Sequence, residues 1–338
     1  MIQGHGDDIY INERVIKANF SSNVYRHINH SGLFRHLQDS FPKINSYPEP
    51  DSGTLANLIA EKKGINRESI IVTNGATEAI YLIASTFRGK QSAILSPTFS
   101  EYNDACNLYD HKIRIISSLS GITEDDEILW ICNPNNPTGN VIPLTDLHNL
   151  ICNMTDKIFI IDQSYGELTK EETLPVSAVN ADNNLVIIKS LTKEYGIPGL
   201  RVGYIASCKR MSSIINKHCL PWSVNILASD AARYLIAEGD PGFNIDALLE
   251  EAQRFMGEIA NIPGFLTYDT KTNFFLCRHD STKASELKEW LLAEHGLLIR
   301  DASNFRGLDD KYFRIAAQLP EENNLLINAL KCWKAVNI

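Results

Sequence analysis

The chain has 338 residues, of which 44% are hydrophobic and 22% are charged, and its formal net charge is −9. This length predicts about two domains, and the composition is that of a globular protein, which excludes a disordered or fibrous chain. Because no block of Lys and Arg interrupts the acidic balance, neither an extended nucleic-acid surface nor an anionic-membrane surface is expected.

The apolar runs, the N-terminus and the cysteines bear on where the protein works. Unbroken apolar runs are about as long as residues 79–84, far below the roughly 18 residues of a membrane span. The N-terminus has neither the basic nor the apolar region of a signal peptide. The seven cysteines are odd in number and lack CxxC spacing, which favours reduced thiols over a disulfide framework or a zinc site. We therefore expect a soluble, cytoplasmic protein without a bound metal.

Short apolar, β-branched runs recur between residues 69 and 207 and are typical of strands. The predicted strands are 70–73, 93–96, 113–117, 128–132, 158–162, 185–190 and 203–207. Runs that are apolar throughout suit a sheet covered on both faces, and helical patterns at 77–88 and 145–154 lie between them. This alternation predicts an α/β fold with a largely parallel, doubly wound sheet, whose ligands lie beyond the carboxyl ends of the strands.

The pattern changes after Pro221 to that of a smaller α+β domain. A long helical stretch at about 224–260, with a break near 240–242, precedes short strands and two more helices. These strands are predicted at 274–278, 297–300 and 312–316, and the helices at about 283–294 and 321–335. We expect three parts: an N-terminal arm and helix (1–45) that associates with the small domain, a large domain (46–222) and a small domain (223–338).

The most informative segment is Ser190–Tyr204, which reads SLTKEYGIPGLRVGY. Lys193 follows a predicted buried strand, and a partly desolvated lysine can be neutral and form a Schiff base with an aldehyde. The hydroxyls of Ser190 and Thr192 and the forked guanidinium of Arg201 can bind a phosphate. In an S-x-x-K string taken alone, the lysine is more often an exposed loop residue. Under that interpretation Arg201 would be a structural arginine. The flanking Pro-Gly-Leu-Arg-x-Gly-Tyr string favours a phosphorylated aldehyde cofactor instead.

This segment resembles the pyridoxal phosphate (PLP) lysine region of fold-type-I aminotransferases, in the branch that holds histidinol-phosphate aminotransferase and threonine-phosphate decarboxylase. The resemblance extends over essentially the whole chain. It implies the PLP-dependent transferase fold (type I): a seven-stranded, mostly parallel sheet in a large domain, plus a smaller α+β domain. It makes Lys193 the residue that holds PLP covalently, with Ser190, Thr192 and Arg201 at the cofactor phosphate.

The string Thr73–Glu78 (TNGATE) lies between the first predicted strand and a helix. A glycine turn that leads into a helix N-terminus offers free N–H groups and the positive end of the helix dipole. Gly-Ala-Thr also caps ordinary helices. The resemblance implies that Gly75, Ala76 and Thr77 hold the PLP phosphate through the backbone.

Two further strings follow strand ends. In PTFSEY (97–102), an aromatic side chain can stack on a pyridine ring, and the resemblance assigns that role to Tyr102. Without the resemblance, a core or packing tyrosine would be the favoured interpretation. In NPNNPTG (133–139), the resemblance places Asn136 on the phenolic oxygen of the cofactor and beside the substrate. The alternative interpretation of this string is an ordinary turn rich in Pro and Asn.

The string IIDQSY (160–165) places a carboxylate at a strand end, three residues before a tyrosine. Asp162 can pair with the protonated pyridine nitrogen of PLP, which keeps the ring an electron acceptor. A strand-end aspartate is also a common helix N-cap. The resemblance implies that Tyr165 shares the phenolic oxygen with Asn136. The family usually has Asp-Glu here, so Gln163 departs from its pattern.

Arginines in the predicted small domain are candidates for binding substrate. Arg300 and Arg314 lie on neighbouring predicted strands, and a strand-end arginine suits two-pronged binding of a carboxylate. Surface salt bridges are the alternative, and we retain that interpretation for Arg306. The resemblance makes Arg314 the carboxylate ligand, with Arg300 close by.

The N-terminal region supplies the remaining candidates. The resemblance implies that Asn23 faces the substrate and that Tyr47 reaches the PLP phosphate of a partner subunit, which predicts a homodimer with a shared active site. His5 and Gly6 could receive a substrate phosphate, although His5 could equally belong to a disordered terminus.

No motif encodes which bond of the substrate breaks, but three strings favour one reaction. GHGDDIY (4–10), FSSN (20–23) and RDASNFRGL (300–308) are more similar to threonine-phosphate decarboxylases than to histidinol-phosphate aminotransferases. We therefore predict PLP-dependent decarboxylation of L-threonine O-3-phosphate, which implies the cobalamin nucleotide-loop pathway. Transamination of histidinol phosphate is the alternative. A third possibility, a fold that binds a regulator without catalysis, would require the loss of Lys193, Asp162 or Arg314.

Overall fold

The strands and helices are taken from a computed structural model that describes residues 6–11, 15–181, 183–240 and 242–336, and side chains to residue 333. The strands are β1 (Ala18–Asn19), β2 (Ile70–Thr73), β3 (Gln91–Leu95), β4 (Lys112–Ile116), β5 (Ile128–Cys132), β6 (Ile158–Asp162), β7 (Leu185–Ser190), β8 (Gly203–Ser207), β9 (Phe265–Thr267), β10 (Phe274–His279), β11 (Leu297–Leu298), β12 (Arg300–Asp301) and β13 (Tyr312–Ala316). The α-helices are α1 (Ser31–Ser40), α2 (Gly53–Lys63), α3 (Gly75–Thr86), α4 (Ser100–Leu108), α5 (Leu144–Asn153), α6 (Leu191–Glu194), α7 (Lys209–Ile215), α8 (Ile226–Glu238), α9 (Ile245–Ala260), α10 (Ala284–Trp290) and α11 (Pro320–Val336).

The large sheet has seven strands in the order β2-β8-β7-β6-β5-β3-β4, and β8 alone runs antiparallel to its neighbours. The predicted seven-stranded, mostly parallel sheet is therefore confirmed. The parallel register pairs Cys132 with Asp162 and Asp162 with Ile188. Because parallel strands end at the same edge, side chains at and just after these positions meet there.

Helices cover both faces of this sheet. One buried apolar cluster joins the sheet to α2, α5 and α8, and a second joins its other face to α3 and α4. The apolar runs of β5 and β7 are buried along their whole length, as expected for strands covered on both faces. The helix α4 (SEYNDACNL) was not predicted, because its largely polar sequence hides the periodicity of its buried residues.

The small sheet is antiparallel, in the order β12-β13-β10-β9, and packs against α9, α10 and α11. The predicted strand 297–300 is divided in two. Leu297–Leu298 pairs in parallel with Ala18–Asn19 of the arm, whereas Arg300–Asp301 joins the sheet beside β13. The division arises because the arm takes the hydrogen bonds of the first half. In the second half, Arg300 lies directly opposite Arg314.

The N-terminal region divides between the two cores. Ala18 and Phe20 lie in the apolar cluster of the small sheet, as expected for an arm associated with that domain. Leu33 of α1 lies instead in the cluster of the large sheet, where α1 packs on α8, and the expected association of this helix with the small domain stays a prediction. The domain limits at residues 45 and 222 stay a prediction, and the packing of α1 and α8 favours grouping both helices with the large sheet.

Two properties of the whole chain bear on the expectations from composition. Among the helices of the described ranges, none is both long enough and apolar enough to cross a bilayer. All seven cysteines are free thiols, and four of them are buried: Cys106, Cys132, Cys208 and Cys277.

Candidate active site

A cavity of about 360 Å³ lies at the carboxyl edge of β5, β6 and β7 and is bounded on one side by the small sheet and the arm. Fourteen of the predicted site residues line it: Gly6, Asn23, Ala76, Thr77, Tyr102, Asn136, Asp162, Tyr165, Ser190, Thr192, Lys193, Arg201, Arg300 and Arg314. Gly75 lies beside it against Arg201. A larger cavity of about 480 Å³, near Arg67 and Lys209, contains none of the predicted residues.

Lys193 projects into this cavity from α6, the single helical turn that follows β7. Within the described residues its amine has no hydrogen bond or ion pair. Burial, followed by the positive charges of Arg201 and Arg314, lowers the pKa of Lys193 to about 8. Lys189, four residues earlier, is different, because its amine lies 3.0 Å from a carboxylate oxygen of Glu167. Lys193 is therefore the lysine of this segment that can act as a nucleophile.

Asp162 ends β6 and is a buried carboxylate without a cationic partner among the described residues. Its Oδ1 accepts hydrogen bonds from the N–H and the hydroxyl of Ser164, at 2.8 and 2.6 Å, and its Oδ2 accepts one from Tyr102 at 2.8 Å. Burial raises the pKa of Asp162, and these hydrogen bonds offset part of the rise. A cation that entered the cavity beside this carboxylate would stabilise its charged form.

An anion-binding site lies between the N-terminus of α3 and Arg201. The first turn of α3 has no side-chain cap, so its N–H groups remain available. Gly75 has a φ of +80°, and a Cβ there would lie 2.5 Å from a guanidinium nitrogen of Arg201, so only glycine fits. Ser190 and Thr192, whose hydroxyls are 2.8 Å apart, line the same region. Together these groups can hold a phosphate.

The structure gives Tyr102 a different contact from the predicted ring stacking. Its hydroxyl donates to Asp162, and its ring lies against Trp130, with centroids 5.7 Å apart. Phe99, which sequence reasoning missed, also lines the cavity, and its ring is perpendicular to that of Tyr102, at 85°. Only one of two perpendicular rings can lie flat on a planar ligand. The contacts of Tyr102 with Asp162 and Trp130 make Phe99 a second candidate for that position, and the stacking role of Tyr102 stays a prediction.

Asn136 and Arg314 hold each other in place. A guanidinium nitrogen of Arg314 donates to the side-chain oxygen of Asn136 at 2.5 Å. Because a guanidinium has only donors, the amide nitrogen of Asn136 is left to donate into the cavity. The hydroxyl of Tyr165 is also a donor, since burial raises its pKa well above the usual range. Two donors thus face the position predicted for the phenolic oxygen of the cofactor.

The two arginines of the small sheet form a buried positive pair. Arg300 and Arg314 lie opposite each other across β12 and β13 and are 5% and 4% exposed. Burial lowers the pKa of Arg314 to about 9 and that of Arg300 to about 10, and both stay charged at neutral pH. Within the described residues neither has a carboxylate partner within salt-bridge distance. Two buried guanidinium groups of this kind need an anionic ligand.

Asn23 and Gly6 line the cavity from the N-terminal arm. Asn23 is 2% exposed, and among the described residues neither atom of its side-chain amide has a hydrogen-bond partner of good geometry. A buried amide in this state is suited to binding a polar ligand. Gly6 lines the cavity with its backbone, which packs on the carbonyl of Ser21. His5 lies outside the described residues.

Tyr47 is not part of this cavity. It is 83% exposed and packs on Trp222, with ring centroids 5.5 Å apart. Its neighbours Phe41, Ile44 and Leu220 are also exposed. The predicted contact of Tyr47 with a cofactor would therefore require a second subunit.

The donor set of the cavity fits PLP. An unpaired buried carboxylate suits a pyridinium nitrogen, the anion-binding site suits a phosphate, and a lysine with a lowered pKa suits an aldehyde. The fold and this cavity together define a PLP-dependent enzyme of fold type I.

Comparisons with known proteins agree. The sequence profile of the aminotransferase class I and II family matches residues 15–330, and the chain belongs to this family, whose cofactor is PLP. The crystal structure of L-threonine-O-3-phosphate decarboxylase from Porphyromonas gingivalis is 37% identical, with a TM-score of 0.92 over 94% of this chain and 99% of that one. The threonine-phosphate decarboxylase of Salmonella typhimurium is 30% identical over 88% of this chain and 85% of its own length. The histidinol-phosphate aminotransferase of Thermoanaerobacter pseudethanolicus is 30% identical over 86% of this chain and 84% of its own length.

Proposed function

We propose that this protein decarboxylates L-threonine O-3-phosphate to (R)-1-aminopropan-2-yl phosphate with PLP, a step of cobalamin biosynthesis. The observation that carries the proposal is the pair of buried arginines, Arg300 and Arg314, which face the cavity without carboxylate partners among the described residues. The substrate has two anionic groups, a carboxylate and a phosphate. Similarity to two threonine-phosphate decarboxylases supports the same choice.

The cofactor would be held by groups from the large sheet. In this proposal Gly75, Ala76, Thr77, Ser190, Thr192 and Arg201 hold its phosphate. Lys193 forms the covalent attachment, Asp162 pairs with the pyridine nitrogen, and Asn136 and Tyr165 donate to the phenolic oxygen. We propose that Phe99 covers one face of the ring, while Tyr102 supports Asp162. When bound, PLP supplies an aldehyde for a substrate amine and a ring that accepts electrons.

The chain's own residues then have two tasks. Arg314 and Arg300 hold the carboxylate, and the orphaned amide of Asn23 holds the far end of the substrate. Fixing both ends orients the bond that breaks and uses remote binding energy for that purpose. Lys193 is free of other hydrogen bonds among the described residues, and an amine with a pKa of about 8 can both donate and accept a proton near neutral pH.

The deciding experiment is product analysis of the holoenzyme with L-threonine O-3-phosphate. We expect carbon dioxide and 1-aminopropan-2-yl phosphate, with no 2-oxo acid. The control substrate is histidinol phosphate with 2-oxoglutarate, since histidinol-phosphate aminotransferases are similar over most of this chain. Formation of glutamate in the control, without carbon dioxide from threonine phosphate, would establish the aminotransferase and refute the decarboxylase.

We also propose a homodimer in which Tyr47 reaches the cofactor phosphate of the partner. Its exposure, together with that of Phe41, Ile44, Leu220 and Trp222, marks an apolar surface on this side of the molecule. Sedimentation at assay concentration should show a dimer, and Tyr47→Phe should raise the dissociation constant of PLP. An active monomer would contradict the proposal.

A further inference from the structure

The N-terminal arm brings a carboxylate into the cavity at Asp7, a residue that has no part in the reaction proposed above. Asp7 lines the cavity together with Gly6. Its φ is +64°, a left-handed conformation that residues other than glycine rarely adopt and that Asp and Asn tolerate best. Such a conformation persists when the surrounding contacts hold it.

Those contacts form a closed hydrogen-bond network. The side-chain nitrogen of Asn19 donates to Oδ1 of Asp7 at 2.6 Å, and the N–H of Asp7 donates to the hydroxyl of Ser21 at 2.8 Å. The side-chain oxygen of Asn19 accepts from both the N–H and the hydroxyl of Ser21, at 2.9 and 2.7 Å. Asn19 and Ser21 are buried, so Asp7 satisfies a buried amide that would otherwise lose its acceptor.

Ser21 connects this network to the substrate site. Its carbonyl accepts a hydrogen bond from Arg314 at 2.5 Å. Gly6 packs on the same carbonyl, and a Cβ at Gly6 would collide with it. The N–H and the hydroxyl of Ser21 therefore belong to the network with Asp7 and Asn19, whereas its carbonyl holds the guanidinium of Arg314. A shift of this peptide would move a hydrogen-bond acceptor of Arg314.

We propose that Asp7 is a positioning residue which, through Asn19 and Ser21, fixes Arg314 in the orientation that binds the substrate carboxylate. The inference rests on the proposed function only in taking Arg314 as the carboxylate ligand. It requires no step of the reaction, so binding alone can test it.

The test uses two ligands that lack an amine and cannot bond covalently to the cofactor. One is 3-(phosphonooxy)butanoate, which is threonine phosphate without its amino group. The other is isopropyl phosphate, which lacks the carboxylate as well. Calorimetric titration of the holoenzyme yields both dissociation constants, and their ratio measures what the carboxylate contributes to binding.

Two substitutions separate the hydrogen bond from other effects. Both glycine and asparagine tolerate the positive φ at this position. Asp7→Gly removes the acceptor of the hydrogen bond from Asn19, whereas Asp7→Asn keeps a side-chain oxygen that can accept it. We expect Asp7→Gly to reduce the ratio about tenfold, the effect of losing one hydrogen bond from such a network. Asp7→Asn should keep a ratio close to that of the unaltered protein.

Three results would overturn the proposal. Equal weakening of both ligands in Asp7→Gly would mean that the arm merely covers the site. An equal reduction of the ratio in Asp7→Asn and Asp7→Gly would show that the negative charge of Asp7, rather than its hydrogen bond with Asn19, causes the effect. If the unaltered protein binds both ligands equally well, Arg314 does not bind the carboxylate. A holoenzyme that shows the Asp7 effect but releases no carbon dioxide from threonine phosphate would refute the proposed reaction and leave this inference standing.

Discussion

The cofactor side and the substrate side of the cavity are built differently. The cofactor side comes from consecutive strand ends of one parallel sheet, and its side chains hold one another, as Tyr102 and Ser164 hold Asp162. The substrate side is assembled from the arm and two strands of the small sheet. Within the part of the chain that the structure describes, it retains buried polar atoms without partners, on Asn23 and at Nε of Arg314.

This difference indicates how the two sides respond to ligands. Groups that hold one another are already in place before the cofactor binds, which favours tight cofactor binding. Groups without a partner among the described residues, such as the amide of Asn23, would gain hydrogen bonds when a substrate enters. We expect substitutions on the cofactor side to alter the chemistry itself and those on the substrate side to alter the affinity for substrate.

The largest effect is expected for Lys193→Ala on the cofactor side. Loss of the nucleophile and proton carrier should reduce turnover by about 10⁴-fold or more. Borohydride reduction of the unaltered holoenzyme should attach the cofactor to Lys193, as mapped by mass spectrometry of the peptide. Lys189, paired with Glu167, is the internal control. Attachment at Lys189 would refute the assignment.

Asp162→Asn should come next, because it removes the charge that faces the pyridine nitrogen while leaving the phosphate contacts intact. We expect turnover to fall about 100-fold or more, with a much smaller change in the dissociation constant of PLP. Near-normal turnover with bound PLP would exclude Asp162 from the mechanism.

Arg314→Gln probes the substrate side, where binding should suffer most. Hydrogen bonds between charged groups contribute roughly 1.5–3 kcal/mol, so kcat/KM for threonine phosphate should fall about 10- to 100-fold, mostly through KM. Arg306→Gln is the matched control, because Arg306 is an exposed arginine of the same domain. Equal losses in both variants would show that overall positive charge, rather than the buried guanidinium, binds the substrate.

A smaller effect distinguishes the two aromatic residues of the cofactor side. Tyr102→Phe keeps the ring but removes a hydrogen bond to Asp162, which should raise the pKa of that carboxyl further. Turnover should fall about 2- to 10-fold, and the acid limb of its pH profile should move to higher pH. Phe99→Leu should instead weaken PLP binding. An unchanged Tyr102→Phe enzyme would favour the original stacking role of Tyr102.

The smallest expected effect is a shift in the pH midpoint of PLP loading at Lys193 when Arg314, on the substrate side, is replaced. Covalent loading of PLP requires the neutral amine of Lys193, so the loading rate of cofactor-free protein should rise with pH through about 8. Arg314 lowers the pKa of Lys193 by its positive charge. Arg314→Gln should therefore move the midpoint to higher pH, whereas Arg306→Gln should leave it in place. A midpoint that does not move would show that burial and Arg201, without Arg314, set this pKa.

The amino-acid sequence alone predicted the large sheet and most residues of the cofactor side. Continuous apolar runs such as Ile128–Cys132 and Leu185–Ser190 have the bounds that were expected. Polar residues directly after such runs must meet at one edge, because parallel strands end together. The predicted strand ends, the local motifs and the resemblance to fold-type-I enzymes therefore sufficed to predict that Asp162 and Lys193 share one cavity, as they do in the structure.

Only the tertiary structure showed how the substrate side is assembled and which groups the aromatic pair contacts. The cross-strand pairing of Arg300 with Arg314 depends on register, and the arm splits the predicted strand 297–300 by pairing with its first half. The contact of Tyr102 with Asp162 is a side-chain hydrogen bond to a residue 60 positions away. These features arise from contacts between segments far apart in the chain, which periodicity and local motifs do not encode.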